Sequence, residues 1–346
     1  MKGSFFLGAG QKPAFELREL QLPELPDDGV LVRNMACGVC GTDVHIYHGE
    51  QGSAPVTPPV VLGHEFSGIV ERVGASVRSV KPGDHVALDP NMYCGKCRAC
   101  RMGKKQNCES LYALGVNTNG GFAEVCLAPE TQCFRIDESV SFDAAAIVEP
   151  LSCVLHGIDR LHIRAGQTVA VIGGGTIGLL MVQLAKLSGA AHVLVSEPSA
   201  LRREIALRVG ADSAVDPAQE ALTERVRELL HADGADCVIE CVGKTAAAEQ
   251  AFEIADSGAS VLLFSVPGVT AKAELPLFPV YKKELTVMGS MINPDTFQRA
   301  VDLLNSGRLQ ISPLITHTYG LRQVEDAIRM QMSAESIKVL VHPQEF

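Results

Sequence analysis

Val169-Ala170-Val171-Ile172-Gly173-Gly174-Gly175-Thr176-Ile177-Gly178 decides how the middle of this chain folds. Four apolar residues run into a G-x-G-x-x-G turn, and helix-period residues continue from Ile177 to Ser188, so a strand, a turn and a helix are read in succession. Gly173 permits the tight turn, Gly175 lets a pyrophosphate approach the backbone, and Gly178 lets helix and sheet pack closely. The helix amino terminus, opening at Thr176 and Ile177, offers N–H donors and a favourable dipole to phosphate. Alone the motif is weak, because a glycine-rich strand-to-helix turn is often only a turn. Here the next apolar run ends in Ser196-Glu197-Pro198, with Glu197 nineteen residues beyond Gly178. A carboxylate there can accept both ribose hydroxyls and would repel a 2′-phosphate, which favours NAD over NADP. Arg202 and Arg203 keep NADP as the lesser alternative, although a helix surface accounts for them equally well.

Outward from this turn, strand-like runs at 169–172, 192–195, 237–240, 261–265 and 285–288 alternate with helix-period stretches at 177–188, 200–209, 218–230 and 246–255. That alternation predicts an α/β unit with a parallel sheet covered by helices. Val242, Ser265 and Val266 follow its later strands and are expected to line the nicotinamide side by position, without a catalytic part. The first ~150 residues read as β-rich, with short runs at 29–35, 66–73 and 85–88 and a turn at Lys81-Pro82-Gly83-Asp84. After Gly289 come helical stretches at 294–305 and 324–332 and a last strand at 338–342.

The chain has 346 residues, 47% apolar and 20% charged, which suits about two domains with substantial cores. A net charge of −10 with no basic stripe argues against nucleic acid or an anionic membrane as partner. No apolar run has the length of a membrane span, and Met1 to Lys12 lacks a signal-peptide pattern. Eleven cysteines, an odd count with tight local spacing, point to metal chemistry in a reducing compartment, and the cytoplasm is expected.

Cys94, Cys97, Cys100 and Cys108 stand in the pattern C-x2-C-x2-C-x7-C. Four thiolates this close complete a tetrahedral zinc shell with no open position, which is the geometry of a structural site. Ordinary buried cysteines would not be flanked by Gly95, Gly103 and lysines, and a redox C-x-x-C belongs in a thioredoxin-like setting absent here. A second set of ligand types is quieter. Cys40 lies in Cys37-Gly-Val-Cys40-Gly41-Thr42-Asp43-Val44-His45, and His64-Glu65 in Gly63-His64-Glu65-Phe66-Ser67-Gly68. Singly, each is more often a packing residue than a ligand.

Together these segments resemble the zinc-containing medium-chain dehydrogenases, the zinc alcohol dehydrogenase family, and within it most of all the polyol (sorbitol-type) dehydrogenases. The G-H-E-x-x-G and C-G-T-D segments, the cysteine quartet, the Rossmann turn, Lys283–Ser290 and Leu303–Gly307 come in the family's order over essentially the whole chain. The resemblance implies two zinc ions per chain, one catalytic and one structural. Cys40 and His64 match the invariant catalytic-zinc ligand positions. Glu65 matches a carboxylate that is a ligand in polyol enzymes and an exchanging or outer one elsewhere. Glu149 falls where many alcohol dehydrogenases place a second zinc cysteine, and the polyol branch has Glu-Pro there; Cys153 is the less favoured candidate. Asp43 is the implied outer partner of a ligand, and Thr42 and His45 match positions of a proton relay.

The implied reaction is oxidation of a secondary hydroxyl of a polyol or sugar-like alcohol to a ketone, with NAD as hydride acceptor. Phosphorylated polyols remain open as substrates. A threonine-dehydrogenase type of amino-alcohol oxidation is the second reading, and Glu149-Pro150 argues against it. A catalytically silent binding protein is the third, and the presence of Cys40 and His64 argues against that. The resemblance further implies a discontinuous GroES-like catalytic domain, residues 1–152 and 291–346 with a zinc lobe at about 90–110. That domain would lie around an inserted Rossmann NAD-binding domain, residues 153–290, with the active cleft between the two. The strand at 285–289 resembles an edge used for pairing, so a homodimer or homotetramer is expected. Substrate choice is assigned to the loops at 46–59 and 112–121.

Overall fold

The computed structural model describes residues 1–50 and 54–345, so residues 51–53 of the 46–59 loop lie outside the described residues. The chain divides into two compact units, Cys153–Ile292 and Met1–Ser152 with Asn293–Phe346.

In Cys153–Ile292, six strands form one sheet in the spatial order Ser213–Val215, His192–Ser196, Thr168–Ile172, Ala235–Glu240, Ala255–Leu263 and Thr286–Gly289. Every pairing is parallel. Val169, Ala170, Val171, Val193, Leu194, Val238, Ile239, Val261 and Leu262 are all shielded from solvent, as expected of central strands covered on both faces. The strand order reverses direction beside Thr168–Ile172, which is where a doubly wound sheet opens its ligand crevice at the strands' carboxyl ends.

Two sequence expectations shift here. The helix expected from 218 begins at Leu222, because Asp216 captures the N–H groups ahead of it: its carboxylate takes that of Ala218, and its carbonyl those of Gln219 and Glu220. The strand expected at 261–265 begins earlier, at Ala255, and the preceding helix stops at Glu253.

The other unit is β-rich. A seven-stranded sheet runs Cys133–Arg135, His85–Leu88, Glu65–Val73, Gly29–Gly38, Lys338–His342 and Ile315–Gly320, with Val125–Pro129 also paired to Gly29–Gly38. A three-stranded sheet of Phe15–Glu19, Lys2–Phe6 and Val60–Val61 accompanies it. Val30, Val32, Phe66, Val70, Val86, Phe122, Val339 and Val341 build the core. The last strand of the chain is thus an inner strand, antiparallel to Gly29–Gly38 through Leu340↔Gly38 and Val341↔Cys37.

Where the chain leaves and re-enters this unit, a buried polar knot forms. Asn293 Nδ2 donates to Ser152 Oγ at 2.9 Å and to Asp89 Oδ1 at 3.2 Å, and Asn91 Nδ2 donates to Asn293 Oδ1 at 2.7 Å. Burial, only partly offset by the Asn91 N–H and the Asn293 amide, raises Asp89 from its ordinary 3.8 to about 6. The folded state therefore binds the Asp89 proton more tightly than the unfolded state. This stabilises the fold below about pH 4, and the contribution is lost as pH rises through about 6. At 1.36 kcal/mol per pH unit the full effect is on the order of 3 kcal/mol. Asp89→Asn keeps both acceptor contacts, so its stability relative to the unsubstituted chain is expected to be higher at pH 8 than at pH 4.5 in urea denaturation. An identical difference at both pH values would exclude this account.

Candidate metal centres and cofactor turn

Cys94, Cys97, Cys100 and Cys108 converge until all four sulfur atoms lie within 4.8 Å of one another. Cys97 caps the single helical turn Arg98–Arg101, its Sγ accepting from the Cys100 N–H at 3.5 Å. Cys94 Sγ accepts from the Cys97 N–H, and Cys108 Sγ from the Cys94 N–H, each at 3.3 Å. Such donors favour thiolate: the Cys100 N–H leads in lowering Cys97 to about 6, while burial pushes Cys100 up to about 12. Four sulfurs about 2.3 Å from one tetrahedral ion would stand about 3.8 Å apart. Cys94 and Cys100 are 4.0 Å apart, so the quartet fits a closed zinc shell with little adjustment.

Cys40, His64 and Glu65 form the second group, again with ligand atoms within 4.8 Å. Cys40 is the N-cap of the Gly41–Tyr47 helix, and its N–H donates to Asp43 Oδ2 at 2.8 Å. Asp43 is fully buried, and its Oδ1 faces His64 Nδ1 at 3.7 Å, so one carboxylate holds the Cys40 backbone by a hydrogen bond and meets the His64 ring through charge alone. Burial raises Asp43 against the pull of His64. Burial opposes charge on His64, yet Cys40, Asp43 and Glu149 outweigh it and hold the imidazole well above its usual value. The Cys40 thiol is raised by burial and then by Glu65. A thiol, an imidazole and a carboxylate competing for protons in a dry site are a donor set suited to a divalent cation.

Lys338 completes this neighbourhood, and nothing in the sequence singled it out. Its ammonium, 2% exposed, donates to Glu65 Oε2 and to the Val39 carbonyl at 2.9 Å. Burial works against its charge, but Glu65 and then Cys40 keep its pKa above the usual lysine value. A Cβ on Gly38 would lie 2.2 Å from Glu65 Oε2 and 2.8 Å from Lys338 Cε, so only glycine leaves room for the pair. Glu149, buried at the start of the Val148–Leu161 helix, stands outside the Cys40–His64–Glu65 trio but acts on His64 through its charge. Thr42 is buried in the first turn after Cys40, and His45 Nδ1, later on the same helix, faces the Glu50 carboxylate.

At the glycine turn, Gly173 has φ +101°, and a Cβ on Gly178 would fall 1.9 Å from the Gly173 carbonyl oxygen. Gly175 is the N-cap of the Thr176–Leu187 helix, which carries Ile177 in its first turn, and a Cβ on Gly175 would meet nothing within 4 Å. This is open backbone of the kind a phosphate approaches. Glu197 directly follows the neighbouring His192–Ser196 strand with both oxygens engaged: Oε2 accepts from the Gly174 N–H at 2.7 Å and Oε1 from the Ser199 N–H at 2.8 Å. Arg202 Nη1 stands 4.0 Å from Glu197, whereas Arg203 is turned to Asp216 and to the Glu197 and Pro198 carbonyls. Val242 and Val266 are exposed past the later strands, with Ser265 between strand end and loop.

Comparison with known proteins agrees with both halves of this arrangement. Residues 26–138 match the alcohol dehydrogenase GroES-like domain and residues 176–306 the zinc-binding dehydrogenase family. The chain is 33% identical to L-threonine 3-dehydrogenase of Caldanaerobacter subterraneus subsp. tengcongensis, over 96% of each chain. It is 31% identical to sorbitol dehydrogenase of Bacillus subtilis, over 95% of this chain and 94% of that one. A zinc-binding dehydrogenase from Sinorhizobium meliloti 1021, solved bound to NADP, superposes with a TM-score of 0.94 at 40% identity over 99% of both chains. With both family models satisfied and relatives matched nearly end to end, the chain belongs to the zinc-containing medium-chain dehydrogenases and is an oxidoreductase of the zinc alcohol dehydrogenase family.

Proposed function

We propose that the chain oxidises a secondary hydroxyl of a polyol or sugar-like alcohol to a ketone with NAD as acceptor. The carrying observation is the pair of unlike donor sets: a closed quartet of thiols and an incomplete trio, Cys40, His64 and Glu65. A three-donor group leaves a place for substrate, which a four-cysteine shell does not. Cys40 and His64 hold the catalytic zinc, with Glu65 or Glu149 as the carboxylate donor, and the cysteine quartet holds the structural one. Zinc bound at the trio supplies a Lewis acid that eases deprotonation of a hydroxyl. Asp43 keeps Cys40 and His64 in register, and Lys338 holds Glu65 in a single orientation. Thr42 and His45, with Glu50 beside the imidazole, offer the route by which the hydroxyl proton reaches solvent.

Glu197 supports NAD as the working cofactor: the Gly174 N–H holds its carboxylate against the glycine turn, where a carboxylate would accept ribose hydroxyls and repel a 2′-phosphate. One thiolate and a Glu149-Pro150 segment support the polyol reading, together with the likeness to sorbitol dehydrogenase. The likeness to L-threonine 3-dehydrogenases favours amino-alcohol oxidation as the second reading. The two separate on a panel of polyols and L-threonine assayed with NAD and NADP. The expected outcome is a kcat/KM for a polyol with NAD at least about tenfold above that for L-threonine; the reverse order would move the assignment to the second reading.

Metal content gives a further check. Two zinc ions per chain are expected, and Cys40→Ala should retain one, keep NADH binding and lose turnover by about 1,000-fold or more. Full activity of that variant would refute the ligand assignment, and Cys94→Ala is expected to lower folding yield instead.

The chain is further expected to pair with a second copy. Thr286–Gly289 is an edge strand with Thr286 and Val287 exposed, and Leu277, Phe278 and Tyr281 of the adjoining Leu277–Lys283 helix are 75%, 68% and 79% exposed. Unpaired strand edge and clustered apolar side chains both favour burial against a partner. Sedimentation should show a dimer or tetramer, and Phe278→Asp combined with Tyr281→Asp should shift it toward monomer. An unsubstituted chain that is monomeric at micromolar concentration would contradict this.

A further inference from the structure

The Ala235–Glu240 strand is apolar at its centre but ends on a carboxylate, and Glu240 is 3% exposed. It lies within the sheet, its register partners being Ile172 on one side and Leu263 on the other. Its Oε1 accepts from the Val242 N–H at 2.6 Å and the Gly243 N–H at 2.8 Å, and its Oε2 accepts from the Ser265 hydroxyl. One carboxylate thus ties the turn after its own strand to the turn after the next. A buried carboxylate is tolerated only when donors replace its water, and three do so here.

The tied turns carry Val242 and Val266, 42% and 49% exposed. Val242 Cγ2 would lie 2.8 Å from a Cβ on Gly173, and the Val266 carbonyl 3.3 Å from one on Gly243. Two exposed valines therefore extend an apolar strip from the phosphate turn across the point where the strand order reverses. That strip suits a flat heteroaromatic ring attached to a pyrophosphate.

We propose that Glu240 is a positioning residue that presets the Val242–Gly243 and Ser265–Val266 turns for the nicotinamide half of the dinucleotide. The inference rests on the dinucleotide reading of the glycine turn. Calorimetric titration with NADH and with ADP-ribose, which lacks the nicotinamide, tests the two separately. Glu240→Ala is expected to weaken NADH by about tenfold and ADP-ribose by less than about twofold. Ser265→Ala, which removes a single hydrogen bond and spares the fold, should weaken NADH alone by about threefold. Glu240→Gln can still accept from the backbone and donate to Ser265, and should restore NADH binding to within about threefold of the unsubstituted protein. Equal weakening of both ligands by Ser265→Ala, or undiminished NADH binding by Glu240→Ala, would overturn the inference. Failure of the unsubstituted protein to bind ADP-ribose would overturn the dinucleotide reading, and this inference with it.

Discussion

An ammonium and a carboxylate, both withdrawn from water, anchor the Cys40–His64–Glu65 corner of the β-rich unit. Neither Lys338 nor Glu65 can be buried alone, and removing one partner of such a pair typically costs roughly 3–5 kcal/mol. The pair dictates what surrounds it. Gly38 must lack a side chain, and Lys338–His342 must lie against Gly29–Gly38, because only that register carries Lys338 to Glu65. Cys40 follows Gly38 by two residues and His64 precedes Glu65 by one, so the strand register that brings Lys338 to Glu65 also assembles the trio. Asp43 is a second buried carboxylate here, its Oδ2 accepting from the Cys40 N–H and its Oδ1 facing the His64 imidazole at 3.7 Å.

The unit around the parallel sheet solves the same problem with backbone donors. Glu197 and Glu240 each sit at the carboxyl end of a strand, nearly excluded from solvent, and each takes N–H groups from the turn beside it. Turns that would otherwise be floppy are held to the sheet by charge-assisted hydrogen bonds, which are stronger than neutral ones. Gly175 leaves its backbone open, and Glu197 takes the N–H of Gly174 beside it.

What the sequence disclosed depended on how local the cause was. Gly173-Gly174-Gly175 and the Cys94–Cys108 spacing were legible because turn chemistry and short chelating loops act over a few residues. Cys40 and His64 are brought together by the Glu65↔Gly38 strand register, so they stood out only through family resemblance. Lys338 and Glu240 did not stand out at all. Each is one charged residue at the end of an apolar strand, a pattern that equally describes an ordinary solvated strand end. The helix start misplaced at 218 shows a different limit, since a single aspartate competing for N–H groups outweighs helical periodicity.

The chain order of the β-rich unit has a consequence for biosynthesis. Chains emerge from the ribosome amino terminus first. Glu65 precedes its lysine partner by 273 residues, and the strand that pairs with Gly29–Gly38 at Lys338–His342 follows the whole Cys153–Ile292 unit. The Cys153–Ile292 unit is complete in the nascent chain while the unit that began first still lacks an inner strand. The carboxylate beside Cys40 and His64 therefore waits for its counter-charge until the whole Cys153–Ile292 unit has been made.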